Sequence, residues 1–457
     1  YPNILAMLGM GRIPLAAADR GERDPLVIGG GISVILNPEP LAPFFDLFLL
    51  GEAEDMVPEF LERYRSLQAA GAARGALLAD IQRSVEGAYV PRCYGVGYGA
   101  GQRIDSFRPV DPAFPARIRV RQAGQIDAFR TCQVITTPET EFADLFLVEV
   151  SRGCARGCRF CPAGFAYRPA RFRRPAALEG PFEEGLRRKG RIGLLGTAVS
   201  DHPRLTELCR RILETGGGFS IGSLRIDRIT GELAGLLAAA GVETVSLAPE
   251  AGTQRLRDVI RKGVTEEQIF RAVENLIGQG IVNLRLYFMV GLPTEEEEDI
   301  DAIADLVRRI GHHAVKTTKG TRRFRRLTLS VNQFIPKPAT PFQWLPLADT
   351  GLVRRRIEAI KRALGKERAV NVIHDLPKWN YVQALLSLGD RRVGEILLAV
   401  HANGGNWPQA LKAVNVNADY YVYREKEPGE ILPWDFIDRG VSRECLLEEY
   451  RKAMFRG

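Results

Sequence analysis

Residues 145–162 read LFLVEVSRGCARGCRFCP. The first six have the make-up of a buried strand. They run directly into three cysteines, Cys154, Cys158 and Cys161, spaced Cys-x3-Cys-x2-Cys. Thiolates are soft ligands that suit iron–sulfur clusters or zinc. Three on one tight loop can hold three corners of a four-iron cluster and leave the fourth iron open, the open position that also separates catalytic from structural zinc sites. Gly153 and Gly157 let the backbone curl around such a core without Cβ clashes. The alternatives are a zinc site completed by Cys132, Cys93 or a histidine, or three unrelated thiols; the place of the loop, immediately after a strand, argues against both.

Working outward, six strand candidates follow one another: 145–150, 191–196, 219–226, 243–248, 282–290 and 327–335. Helical stretches separate them, two with capping-box spacing, Thr265 with Gln268 and Thr294 with Glu297. Alternating strands and helices imply an α/β fold with a parallel sheet, here a partial (β/α)6 barrel, shorter than the eight-fold one. The barrel core is expected over residues 143–346. Ligands in such sheets bind at the C-terminal strand ends. There the sequence places the cysteine loop, Gly196 to Asp201, Arg225 with Asp227, Pro249-Glu250-Ala251-Gly252, Gly291 to Glu295, and Asn332 to Lys337.

Upstream, residues 24–35 read as a buried strand entering a Gly turn, 45–50 as a second strand, and 56–67 as a helix. Residues 1–66 therefore resemble half of an open, Rossmann-like α/β unit. Residues 67–142 read as a connecting region with short strands and a hairpin. Residues 347–457 are expected to be a mainly helical C-terminal region.

The chain has 457 residues, 45% hydrophobic and 26% charged, the balance of a soluble globular protein of two to four domains. Seven cysteines, three of them crowded together, speak against a secreted disulfide framework and for a metal site in a reducing compartment, here the cytoplasm. There is no apolar run of eighteen residues, so no membrane span and no membrane partner is expected. The chain opens without Met, as if inside a domain, and is read as a fragment. The net charge of +8 suits phosphates or nucleic acid as well as an ordinary solvated surface. Two basic runs carry it: Arg168, Arg171, Arg173 and Arg174, then Lys316, Lys319, Arg322, Arg323, Arg325 and Arg326. Little aromatic interleaving accompanies them, which weakens an RNA reading. His312-His313 reads as a helix end.

On the cysteine spacing, with Phe160 as the aromatic before the third cysteine, the sequence resembles the radical S-adenosylmethionine (SAM) superfamily. The resemblance implies that Cys154, Cys158 and Cys161 ligate a [4Fe–4S] cluster and that SAM chelates its free iron. It further implies reductive cleavage of SAM to a 5′-deoxyadenosyl radical, which takes hydrogen from a substrate. Thr197, Ser200 and Asp201 occupy the place of the family's Gly-Gly-Glu-type motif, which this chain lacks. Arg225 would pair with the SAM carboxylate, Glu250 would meet the ribose or methionine part, and Gly291 and Pro293 would lie beside the adenine. A reducing partner such as flavodoxin or ferredoxin is implied. The substrate, whether small molecule, peptide or RNA, is not legible. Cys93, Cys132, Cys209 and Cys445 are dispersed, which counts against a second cluster and methylthiotransferase chemistry. The rival from another class is a nucleic-acid-binding or RNA-modifying protein whose cysteines hold a structural metal.

A closer resemblance rests on Cys161–Pro169, Ala248–Arg257, Tyr287–Glu295, Pro336–Trp344 and Leu432–Asp438. These look like the branch of the superfamily with an N-terminal cobalamin-binding-type domain, of which residues 1–66 would be the second half. Gly29, Gly30 and Gly31 would then lie beside a cobalamin tail. The lower-ligand motif Asp-x-His-x-x-Gly is nowhere in this chain. Either it lies upstream or the domain is vestigial, and the balance falls against cobalamin as a cofactor; if it does bind, methyl transfer is the expected outcome.

Overall fold

A computed structural model describes residues 1–222, 224–318 and 324–455. The chain divides into two compact units. One comprises Gln125–Phe334, Ala348–Trp379 and Glu449–Gly457, and it holds the cysteine loop. The other comprises Tyr1–Gly124, Ile335–Leu347 and Asn380–Glu448.

The first of these units carries β1 (Phe146–Glu149), β2 (Arg191–Leu195), β3 (Gly218–Ile221), β4 (Thr244–Glu250), β5 (Asn283–Val290) and β6 (Arg326–Gln333). All six expected strands are present, in a partial barrel. A seventh, β7 (Val370–His374), lies in the stretch expected to be helical. Pairing is parallel throughout, in the orders β3-β2-β1 and β4-β5-β6-β7. The intervening helices are α1 (Pro175–Lys189), α2 (Leu205–Glu214), α3 (Gly231–Ala239), α4 (Glu266–Gly278), α5 (Glu297–Thr318) and α6 (Thr350–Leu364).

Two periodicities build the layer between strands and helices. Alternate strand residues (Val245 and Leu247; Leu284, Leu286, Phe288 and Val290; Leu327, Leu329 and Val331) join one buried cluster with Ile300, Ile303, Val307 and Ile310 of α5. By the same alternation Tyr287, Met289, Ser330 and Asn332 lie on the opposite face of the sheet, where Tyr287 pairs in register with Ser330 and Met289 with Asn332. Outside β1, residues 131–133 run antiparallel to it: the Gln133 N–H donates to Leu147 O (2.9 Å) and the Glu149 N–H to Thr131 O (3.1 Å). That segment supplies hydrogen-bond partners along the β1 edge.

Several local expectations are corrected. The Thr265–Gln268 capping box forms. The Thr294–Glu297 box does not, because α5 starts at Glu297 and Thr294 (φ 57°) lies outside it. Asp299, buried in the first turn, takes the Glu296 N–H instead (2.9 Å) and also accepts from Thr253 and Arg255. His312 and His313 lie inside α5, not at its end; His313 meets Phe270 edge-on. The third strand stops at Ile221, and residues 226–228 form a 3-10 turn. Ser223, Lys319, Arg322 and Arg323 lie outside the described residues.

In the other unit, the N-terminal strand is only Ile28–Gly30 and is largely exposed, not buried. Gly31 (φ 91°) breaks it, and Ile32–Leu36 is a helix that buries Val34 and Ile35. Ile28–Gly30 pairs in parallel with Leu47–Leu49, which pairs antiparallel with Ala88–Tyr89. The helix expected near residues 56–67 spans Ala53–Ala69, and Tyr94–Tyr98 with Ile104–Pro109 form a hairpin. Buried Asp46 accepts from Arg20 (2.9 Å), Arg74 (2.9 Å) and the Val27 N–H (2.8 Å). Two of the quoted runs meet here: the Trp434 indole donates to Gln343 Oε1 (2.7 Å), with Trp344 and Trp434 both fully buried.

The fold makes opposite demands on two glycines. A Cβ on Gly252 would stand 2.5 Å from the Ile303 nitrogen, 2.7 Å from the Ala302 carbonyl carbon and 2.8 Å from the Asp299 oxygen, all α5 backbone. Gly252→Ala is expected to destabilise the barrel by about 2 kcal/mol or more. Gly311, inside α5 with nothing within 4 Å of an added Cβ, should gain up to ~1 kcal/mol on substitution by Ala. Urea unfolding followed by circular dichroism reads both.

Candidate functional site

The loop leaves β1 through a short antiparallel stem, Ser151–Arg152 against Arg171–Phe172. Gly153 (φ 81°) follows it, and a Cβ there would lie 2.4 Å from Tyr167 O and 2.7 Å from Pro169 O. No other residue fits that backbone at that distance. The Cys154 N–H donates to Tyr167 O (3.1 Å), and the Cys161 N–H to Cys158 O (3.0 Å), closing the turn. At Gly157 an added Cβ would stand 3.0 Å from the Arg261 guanidinium.

The loop brings the three thiols within electrostatic reach of one another. Cys158 is buried, Cys154 and Cys161 partly so. Burial pushes the Cys158 thiol up, while Lys262 and Arg225 pull it down and Cys154 and Glu250 push it further up. Burial likewise raises Cys161, against a hydrogen bond from the Ala163 N–H. The Arg156 N–H points to Cys154 Sγ at 3.4 Å, the kind of N–H···S bond that tunes an iron–sulfur centre. Among the described residues no three His, Cys, Asp or Glu side chains gather tightly enough to hold a single metal ion. Thiolates that each take a separate iron need no such tight gathering. Three thiols on one loop are soft donors of the kind that suit an iron–sulfur cluster.

Beside the loop stands an ion network that sequence spacing did not show. Arg156 grips Asp201 with two bonds (2.9 and 2.6 Å) and reaches Asp227 at 3.4 Å. Arg225 pairs with Asp227 (2.9 Å), and Arg228 with Asp201 (3.2 Å). Burial opposes ionisation of Asp201, but Arg156 outweighs it and holds the carboxyl below its usual range. Three guanidiniums meet two carboxylates, so one positive charge is left over at the ends of β2 and β3, a place for an anionic group. Ser200 is buried and accepts the Arg225 N–H (3.0 Å). Thr197 is exposed. Ser151 Oγ is buried without a hydrogen-bond partner, and a Cβ on Gly196 would lie 2.1 Å from it. An orphaned hydroxyl at this junction of β1 and β2 is a polar atom left for a ligand.

Across the loop, the end of β4 bulges. Leu247 pairs with Leu286, but Glu250 pairs with Phe288, one residue out of step, and Glu250 has φ 71°. Bulges of this kind re-aim side chains beside active sites. Glu250 does not cap the following helix; Thr253 does. Glu250 binds Lys262 (2.9 Å), and Lys262 lies 5.9 Å from the Phe160 ring centre. Gly291 (φ 79°) donates its N–H to Glu295 (2.7 Å), which also binds Arg356; burial pushes the Glu295 carboxyl up to about 7 despite these contacts. Pro293 is half-buried at the same turn. Arg159, inside the loop, is buried and donates to Asp258 O (3.2 Å), Val259 O (2.7 Å) and Glu449 (3.1 Å). Of the basic run after the loop, Arg173 is buried against Glu149, Thr131 and the Phe129 carbonyl, Arg171 is half-buried, and Arg168 and Arg174 are exposed, with Arg174 pairing with Asp127.

His202 closes this region. Its Nδ1 accepts the Arg204 N–H (3.1 Å), so its Nε2–H donates to Arg173 O (2.9 Å). Burial holds its pKa below 6.5. The unfolded chain takes up this proton near 6.5 and the folded chain only at lower pH. The stabilising contribution is thus present above about 6.5 and is lost as pH falls through the folded value. The melting temperature of the apo-protein is expected to drop more steeply between pH 7.5 and 5.5 in the wild type than in His202→Gln.

Comparison with known proteins adds three findings. Residues 1–91 match the family model for radical SAM proteins, N-terminal, and residues 148–307 that of the radical SAM superfamily. An uncharacterized protein of Methanocaldococcus jannaschii is 30% identical over 382 residues, 83% of this chain and 74% of that one. The anaerobic magnesium-protoporphyrin IX monomethyl ester cyclase of Rubrivivax gelatinosus is 29% identical over 165 residues, 35% of this chain and only 29% of that enzyme. Among solved structures, the radical SAM methyltransferase TsrM of Kitasatospora setae, with cobalamin and a [4Fe–4S] cluster bound, superimposes with a TM-score of 0.51 at 14% identity. That match covers 94% of this chain and 81% of TsrM, and at this identity it is a likeness of fold.

Proposed function

Because the chain belongs to the radical SAM superfamily, and is thereby an enzyme that uses a [4Fe–4S] cluster and SAM, we propose that Cys154, Cys158 and Cys161 are its cluster ligands. The observation that carries this reading is the gathering of three thiols on one closed loop at the strand ends, beside a cation surplus. When bound and reduced, the cluster supplies the electron that splits SAM, and hydrogen is then taken from the substrate. The chain's own residues do the rest. Gly153 and the 151–152 stem set the thiol positions. The surplus charge of Arg156, Arg225 and Arg228 suits the SAM carboxylate, with Arg225 as its nearest partner in this reading. Lys262, paired with Glu250, stands beside Phe160, and the Gly291–Pro293 turn receives the base. Tyr287, Met289, Ser330 and Asn332, on the sheet face away from the helices, are proposed to read the substrate.

The substrate class stays open between small molecule, peptide and RNA; the burial of Arg173 removes one cation of the run after the loop from the reach of an RNA backbone. No helix among the described residues is long and apolar enough to cross a membrane. A reducing cytoplasm with a flavodoxin- or ferredoxin-type donor fits the unpaired cysteines. The test is anaerobic: reconstitute with iron and sulfide, reduce, add SAM and follow 5′-deoxyadenosine. Cys154→Ala, Cys158→Ala and Cys161→Ala are each expected to lose the four-iron absorbance and more than 99% of product while keeping the far-ultraviolet spectrum of the apo-protein. Full product from any of them would overturn the assignment.

We infer that the residues of this chain supply little of a cobalamin cradle. A Cβ on Gly29 would already meet the Phe48 ring at 2.6 Å, so this glycine packs on the protein's own core. Of Gly29, Gly30 and Gly31, Gly31 alone has nothing within 4 Å of an added Cβ, and the described N-terminal sheet has two parallel strands and an antiparallel third. Hydroxocobalamin incubated with the protein is therefore expected to separate from it on gel filtration. Co-elution in equimolar amount would reverse this and make methyl transfer the reaction to seek.

A further inference from the structure

The C-terminal helix Arg443–Met454 carries one carboxylate with two partners in the cysteine region. Glu449 Oε2 lies 3.1 Å from Arg159 Nε and 3.1 Å from Arg261 Nη1. Its side chain is 13% exposed. Arg159 sits between Cys158 and Cys161 in sequence. Its backbone N–H donates to Ile260 O (3.0 Å), and its guanidinium takes the Asp258 and Val259 carbonyls at the end of the helix Gln254–Val259. Arg261 has φ 51° and lies against the bare Cα of Gly157, the residue before Cys158. One carboxylate thus ties the loop, at Arg159 beside Cys158, to the turn after the helix Gln254–Val259, at Arg261, which lies against Gly157.

We propose that Glu449 is a positioning residue for the cysteine loop. By neutralising both guanidiniums at once it holds residues 157–161 against the turn 258–261, and so sets how firmly the cluster is kept. Without it, buried Arg159 loses its carboxylate partner and stands near the exposed Arg261 with no anion between them. This inference rests on the reading of the three cysteines as cluster ligands.

Groups one step behind a metal ligand change metal retention by about 10- to 100-fold. The experiment compares reconstituted wild type, Glu449→Gln, Glu449→Asp and Arg261→Gln. Iron release to an excess of bathophenanthroline is timed anaerobically, and the cluster's midpoint potential is measured. Release is expected to be at least tenfold faster in Glu449→Gln, several-fold faster in Arg261→Gln and near wild type in Glu449→Asp, with a shifted potential in Glu449→Gln. Equal release rates and potentials in wild type, Glu449→Gln and Arg261→Gln would overturn the proposal. If Glu449→Gln does not fold, Arg261→Gln decides alone, since that side chain is 55% exposed and its loss leaves the core intact. A wild type that takes up no four-iron cluster would instead refute the ligand reading, and this inference with it.

Discussion

Three thiols serve one cluster only if the loop that carries them is closed, and closing a loop of this length costs chain entropy before any ligand contributes. The closure here is backbone chemistry. The stem pairs Ser151 with Phe172 and Arg152 with Arg171, and the Cys154 N–H binds Tyr167 O. The approach of those strands is so tight that only a glycine can stand at 153. Gly164 serves a similar close approach within the loop, since a Cβ there would lie 2.1 Å from Arg156 O. The rest of the site, from the arginine network to the bulge of β4, is arranged around a loop already held.

Arginine is the second theme. A charge of +8 invites a surface reading, yet many guanidiniums are used inside. Arg20 and Arg74 share Asp46, Arg173 ties the segment around residues 126–131 to Glu149, buried Arg257 donates to Ala251 O and Gly252 O, and Arg356 holds Glu295. A planar fork with five donors can satisfy several carbonyls or carboxylates at once. All but Arg257 join segments more than twenty residues apart in sequence, and they leave the net charge a poor guide to partners.

What was legible in the sequence is what short spacing encodes. The cysteine loop, the six barrel strands and the Thr265 capping box depend on residues within a few positions of each other, and each is present. Strand β7 escaped notice because five residues, VNVIH, alternate half-buried with exposed and so lack a continuous apolar signal. The Thr294 box failed because Asp299 offered a buried carboxylate to the same turn. The pairing of Arg156 with Asp201 spans 45 residues, and that of Glu250 with Lys262 depends on a bulge; neither leaves a periodic trace. Arg156 could have been suspected from its place in the loop. Glu449 could not, since nothing around it in sequence refers to the cysteines.

That last distance has a consequence for how the molecule is made. Arg159 and Glu449 are 290 residues apart. At a ribosomal speed of roughly 5–20 residues per second, about 15 to 60 s separate the appearance of one from the other. Throughout that interval the nascent loop has its cysteines and its stem but not its distal carboxylate. The order of synthesis therefore places completion of the loop's surroundings 290 residues after the loop itself.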